Sequence, residues 1–120
     1  MKYVCLIYGV EEQLNAMPQD DLDRLIEETA ASDEELRASG HLILGEALEH
    51  VHAAMTVRVR DGKLSATTGP FAETVEQLGG FVLIEARDLN EAVRIAGRLP
   101  SARVGSVEVR PVIDLAREHS

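Results

Sequence analysis

Two stretches of this chain, "KYVCLIY" at residues 2–8 and "GGFVLIEA" at 79–86, are apolar on both parities. A strand sends successive side chains to opposite faces. Tyr3, Cys5 and Ile7 therefore share one face, and Val4, Leu6 and Tyr8 share the other. A strand of this kind is buried on both sides. The two long helical patterns elsewhere in the chain can cover only one face of a sheet. The other face would leave apolar area in water, at roughly 25 cal/mol per Å². A second copy of the chain, sheet against sheet, is the simplest cover, so the pattern predicts a homodimer; the rival is a parity left only partly exposed, since single exposed apolar residues are ordinary.

The first helix is expected from Pro18 to Ser39. Pro suits a helix start, and Asp20 and Asp21 suit the positive end of its dipole. Leu22, Leu25, Ile26, Thr29, Ala30 and Leu36 fall on one face, and Gly40 is a stop signal. Residues 9–17 read as a polar loop. "HLILGEALEH" (41–50) reads as a second strand with an irregularity at Gly45. In "AAMTVRVRDGKLSATTG", Met55, Val57 and Val59 alternate with Thr56, Arg58 and Arg60 around Asp61-Gly62, a strong hairpin signal. Asp88 and Glu91 have capping-box spacing ahead of a helix that puts Leu89, Ala92, Val93 and Ala96 on one face and ends near Leu99-Pro100. "GSVEVRPV" (105–112) is the last strand, and 114–120, with His119, a polar tail. The resulting order is α+β: a ferredoxin-like βαββαβ plan with an extra hairpin.

One domain is the natural capacity of 120 residues. With 45% hydrophobic but only 3% aromatic residues and no Trp, the core must be aliphatic. The formal charge of -9 opposes direct nucleic-acid contact and anionic membranes. Cys5 is the sole cysteine, excludes an intrachain disulfide, and reads as a small buried hydrophobe. The N-terminus lacks the pattern of a leader, and no segment has the length of a membrane span. A cytoplasmic protein is expected.

Candidate site residues come from the polar faces and turns. Glu73 and Glu76 are three apart, a spacing that places two carboxylates on one side of a short helical turn. Such a pair can split its pKa values as acid and base, or pair with Arg58 or Arg110. Glu46, Arg58, Glu108 and Arg110 alternate with apolar residues on strands. They either pair across the sheet or converge on a barrel interior, where an Arg fork suits a carboxylate ligand. Gly69-Pro70-Phe71 is a turn whose Phe plugs the core or the dimer interface, or rims a pocket. His50 and His52, two apart on an extended segment, could start a metal site. No HExxH and no Cys pair supports one, so they read as solvated, with no metal and no cofactor expected. Gly79-Gly80 lacks the phosphate-loop pattern and suits a crowded strand entry.

The stretch "TGPFAETVEQLGGFVLIEARDLNEA", followed by "GSVEVRPV", resembles the DGPF-type branch of the YCII-related family. "MKYVCLIYG", "SGHLILGEAL" and "TVRVRDGK" are similar to it as well, so the resemblance spans residues 1–113. It implies a ferredoxin-like fold that pairs into a dimeric α+β barrel. Related proteins carry a His–Asp pair proposed as an active-site dyad. The His would lie in the first helix, where this chain has none. The Asp would stand at Thr68. His41, two residues past the helix, substitutes only if the register shifts. The functional expectation is a small-molecule binding or enzyme-like pocket at Glu46, Arg58, Thr68, Phe71, Glu73, Glu76 and Arg110. The alternative is a non-catalytic regulatory or interaction module, linked in some relatives to sigma-factor transcription systems.

Overall fold

The structure, a computed structural model, describes residues 1–118. Residues 119 and 120, which the sequence assigns with His119 to a polar tail, lie outside the described residues. The chain runs β1 (Lys2–Gly9), α1 (Glu11–Asn15), α2 (Gln19–Ala38), β2 (Leu42–Ala47), a 3₁₀ turn (Val51–Ala53), β3 (Met55–Arg60), β4 (Lys63–Thr68), β5 (Gln77–Glu85), α3 (Leu89–Arg98), α4 (Ser101–Val104), β6 (Ser106–Pro111) and α5 (Leu115–Glu118). β2, β5, β1 and β6 form an antiparallel sheet in that order. This is the ferredoxin-like arrangement. β3 and β4 form a separate two-stranded arm.

The register separates the two parities. Tyr3 and Cys5 of β1 and Val82 and Ile84 of β5 are buried beneath the helices, with Leu36 of α2 and Ala92, Ile95 and Ala96 of α3. Ile7, Val107 and Val109 complete this layer at its margin. The opposite parity forms an open face. Across it, Leu44, Leu83, Val4 and Arg110 make one row, and Glu46, Phe81, Leu6 and Glu108 the next. The centre of the open face is apolar, and Glu46, Glu108 and Arg110 stand at its flanks.

Local chemistry fixes the ends. α2 closes in a Schellman motif: the His41 N–H donates to the Leu36 carbonyl (2.9 Å) and the Gly40 N–H to the Arg37 carbonyl (3.1 Å). Gly40 adopts φ +82° there, as glycine permits. At α3 the Glu91 N–H donates to Asp88 Oδ1 (2.9 Å), while Glu91 Oε1 accepts from the Arg87 N–H (3.0 Å). That backbone bond, with the Arg87 guanidinium and His41, holds the Glu91 carboxyl below its ordinary range. Asp61 (φ 53°) and Gly62 (φ 75°) make the left-handed hairpin turn that Asp-Gly favours.

Several expectations are corrected. Within 9–17 the chain forms the short helix α1. Pro18 is the N-cap of α2 and not its first helical residue. On α2 only Leu36 is fully buried; Ile26 is exposed, because the first half of the helix stands off the sheet over a cavity of about 520 Å³. On α3 the buried face is Ala92, Ile95 and Ala96, while Leu89 and Val93 are exposed. The β2 irregularity lies between Leu42 and Leu44, with Ile43 the extra residue, and not at Gly45. A second register shift falls in the β1–β5 pairing, where Gly79 is the extra residue. Part of the tail forms α5. Among the described residues, no helix is long and apolar enough to cross a membrane.

Cys5 is fully buried, and that burial pushes its thiol up to about 11. The neutral thiol is the form the core accepts. Its favourable contribution is complete below the unfolded value near 9.0 and is lost as pH rises towards about 11. The loss amounts to roughly 3 kcal/mol at about 1.4 kcal/mol per unit. Iodoacetamide at neutral pH is expected to leave the native protein unmodified and to alkylate it after denaturant unfolding, read by intact mass. Rapid alkylation without denaturant would mean that β1 opens readily.

The chain is more extended than its length requires. Its radius of gyration is 16.6 Å, against about 14 Å for a compact domain of this length. Its accessible surface is 8666 Å², against about 6,400 Å² for a monomer of this mass. Much of the excess sits on the arm. Met55, Val57, Val59 and Leu64 share one of its faces and are each more than half exposed. A lone hairpin is marginal in water.

Candidate functional site

The sequence-predicted site residues do not gather at one point. Glu46, Glu108 and Arg110 lie on the open face of the sheet, where Arg110 Nε donates to Glu108 Oε2 at 2.5 Å. Arg58 stands on the separate arm, with Thr56, Ser65 and Thr67 beside it. Thr68 ends β4 opposite Met55. Residues 70–76 form an irregular loop, so the helical turn expected for Glu73 and Glu76 is absent. Glu73 is exposed. Glu76 accepts from Ser106 Oγ (3.1 and 3.3 Å) and pairs with neither Arg58 nor Arg110. Phe71 is 80% exposed in the single chain; it plugs no core, and instead walls a cavity.

That cavity, about 730 Å³, lies where the sheet meets the arm. Tyr8 of β1 and Leu78 of β5 supply its floor, and Leu48 and Met55 one wall. Pro70 and Phe71 supply the other. The walls follow from two connections. The Gly69 N–H donates to the Ala54 carbonyl (2.7 Å), and Thr56 Oγ1 to the Gly69 carbonyl (2.8 Å). These close the base of the arm and hold the Pro70–Phe71 turn over the cavity. On the opposite side, the Leu48 N–H donates to the Gly79 carbonyl (2.9 Å), which anchors the segment leading into the 3₁₀ turn.

An ionisable pair meets at the edge of this cavity, with His50 in its wall and Glu11 in the wall of the neighbouring cavity under α2. His50 Nδ1 lies 3.7 Å from Glu11 Oε1. Glu11 is held by two backbone contacts. Its other oxygen accepts from the Val51 N–H (3.0 Å), and its own N–H donates to Gln77 Oε1 (3.1 Å). The short helix α1, absent from the sequence reading, delivers this carboxylate. His52 stacks on His50 with ring centroids 5.6 Å apart. Both histidines belong to a 3₁₀ turn and its cap and not to a strand. Among the described residues, no group of three or more His, Cys, Asp or Glu side chains could hold a metal. The Glu11–His50 spacing of 39 residues gave no local signal; the pair exists only because the β1–α1 and β2–β3 connections meet at one end of the sheet.

His41 closes α2 and does not line this cavity. Its carbonyl accepts from the Glu85 N–H (2.7 Å). Its ring meets Ser39 Oγ (2.7 Å) and Glu91 Oε1 (3.5 Å), remote from the cavity walls.

In fold, the chain is similar to 5-chloro-2-hydroxyhydroquinone dehydrochlorinase (TftG) of Burkholderia phenoliruptrix AC1100, solved in complex with 2,5-dihydroxybenzoquinone. The TM-score is 0.55 at 15% identity, over 98% of each chain. In sequence, it is 36% identical over 114 residues to an uncharacterized protein of Rhizobium meliloti (strain 1021), covering 93% of this chain and 92% of the relative. The family profile described as YCII-related domain matches residues 1–116. With that match and the ferredoxin-like sheet that carries it, the chain belongs to the YCII-related family.

Proposed function

We propose that this protein is a homodimer, paired sheet to sheet as an α+β barrel, that binds a small molecule in an enzyme-like pocket of each subunit. The observation that carries the pocket is the cavity of about 730 Å³ between sheet and arm. Its volume falls within the range of small-molecule sites, and its walls are mainly apolar with few polar groups, as such sites require. The fold neighbour, an enzyme solved with a small cyclic ligand, is consistent with this use of the architecture.

The dimer is supported by area. The single chain exposes about 2,300 Å² more than a typical monomer of its mass. The excess includes the apolar row of the open face and the apolar side of the arm. A second copy laid on both would cover them. In this arrangement Tyr8, at the end of the open-face parity, brings the cavity to the edge of the interface.

The reading includes the DGPF-type branch, on the residues "TGPFAETVEQLGGF", with the domain ending near residue 113 and a cytoplasmic location. Glu46 and Arg110 border the dimer face in it, and Phe71 walls the pocket. Thr68 at the Asp position and the lack of a His in α2 favour a second reading, a non-catalytic regulatory module linked to sigma-factor systems.

Native mass spectrometry of gently purified protein separates the two. A dimer with added small-molecule mass is expected. A dimer with no added mass would favour the regulatory module, and a monomer would overturn the sheet-to-sheet arrangement.

A further inference from the structure

We infer that Glu11 and His50 form the working acid–base pair of this pocket, with His50 as base and Glu11 as its positioning residue. The inference rests on the pocket reading above. It assigns to this chain a His–carboxylate pair at positions other than those of the relatives' proposed dyad. The ligand class follows from the cavity. Apolar walls of Leu48, Met55, Phe71 and Leu78 accept an apolar body, and a single imidazole at the wall accepts one acidic edge. A small molecule with one weakly acidic hydroxyl on an apolar ring or chain meets both requirements.

The step is a proton transfer. The ligand O–H bond breaks and an N–H bond forms on the His50 ring. The electron pair stays on the ligand oxygen, which becomes an oxyanion. The imidazolium is then left between that oxyanion and the Glu11 carboxylate, 3.7 Å away. Opposite charges at this range attract each other. One Glu11 carboxylate oxygen is held by the Val51 N–H, and the Glu11 backbone N–H is held by Gln77 Oε1. A carboxylate held within ion-pair range of an imidazole orients a general base once the two close to hydrogen-bond distance. The other titratable groups here are Tyr8 and Glu49, which line the cavity, and His52, which stacks on His50 from the same turn.

Two probes test this in the full-length protein. Nitrobenzene, which has no hydroxyl, reports whether the cavity takes an aromatic ring, by amide shifts of cavity residues such as Phe71 and Leu78. 4-Nitrophenol reports proton transfer, because its ionised form absorbs in the visible. Wild-type protein is expected to bind both and to give bound 4-nitrophenolate at a pH where the free probe is neutral. His50→Gln is expected to keep nitrobenzene binding and to weaken phenolate formation by about tenfold or more. Glu11→Gln is expected to keep both probes bound while moving the pH profile of phenolate formation upward, an effect that loss of a merely structural contact would not produce. An unchanged phenolate signal in His50→Gln, with nitrobenzene still bound, overturns the pair and leaves the pocket standing. Failure of wild-type protein to take up nitrobenzene overturns the pocket and the pair together. Circular dichroism and melting curves of both variants establish that they are folded.

Discussion

Gly105→Ala is expected to destabilise the protein by at least about 3 kcal/mol and to lower its melting temperature by about 10 °C or more. A Cβ at residue 105 would lie 2.1 Å from the Tyr8 carbonyl oxygen and 3.2 Å from Gly9 Cα. Both obstacles are backbone, so no side chain can turn aside to make room. Gly105 leads into β6, which pairs with β1 from Ser106 opposite Tyr8. To admit the methyl group, the two strands must separate at their first paired position. The control is Gly97→Ala in α3, where a Cβ meets nothing within 4 Å. Alanine there reduces the freedom of the unfolded chain and is expected to stabilise by about 0.5–1 kcal/mol. Thermal melts of the two variants beside wild type read both effects. A harmless Gly105→Ala would mean that β1 and β6 sit further apart at this end than the structure places them.

Leu83→Asp is expected to convert the proposed dimer to monomer, raising the dissociation constant at least about 100-fold. Leu83 sits mid-row on the open face, between Val4 and Leu44. A carboxylate there must lose its water when two sheets meet; the cations of this face are Arg110, beyond Val4, and Lys2, diagonal to it and opposite the Glu85 carboxylate. An unpaired buried charge costs several kcal/mol. In the single chain the same position faces away from the helices, so the core of Cys5, Leu36 and Ile84 is untouched. Far-ultraviolet circular dichroism should therefore remain that of wild type while light scattering reports half the mass. A variant that stays dimeric would move the interface away from this face.

Different parts of the molecule were legible in the sequence to different degrees. β1 and β5 were readable because a short two-sided apolar run suits a central strand, and both occupy the middle of the sheet. Asp61-Gly62 and the Asp88–Glu91 box were readable because each encodes a local hydrogen-bond solution that no distant contact is needed to complete. The helix faces were read less well. Spacing gives the direction of the apolar stripe on α2 but not its distance from the sheet, and the structure leaves Ile26 outside. The residues grouped as a candidate site were chosen for charge and turn chemistry. They are dispersed because Arg58 lies on an arm whose relation to the sheet no local pattern encodes. Glu11 and His50 were missed as a pair for the converse reason. Each is unremarkable within its own segment, and the short helix that carries Glu11 is too brief to show a periodicity. Only the closing of two connections at one sheet end brings them together.

The extra residue at Ile43 acts like a frameshift in the two-letter code of a strand. Before it, even-numbered positions face the helices: Leu42 pairs with Ile84 in the core layer. After it, even-numbered positions face the open layer, where Leu44 meets Leu83 and Glu46 meets Phe81. Had the alternation run on without interruption, Glu46 would point among the aliphatic side chains under the helices, with its charge stripped of water and no partner at hand. A single inserted position thus lets one strand serve two incompatible neighbourhoods. Insertions and deletions in this strand should consequently be tolerated in pairs and rejected singly, since an odd change would exchange the two layers for every residue that follows.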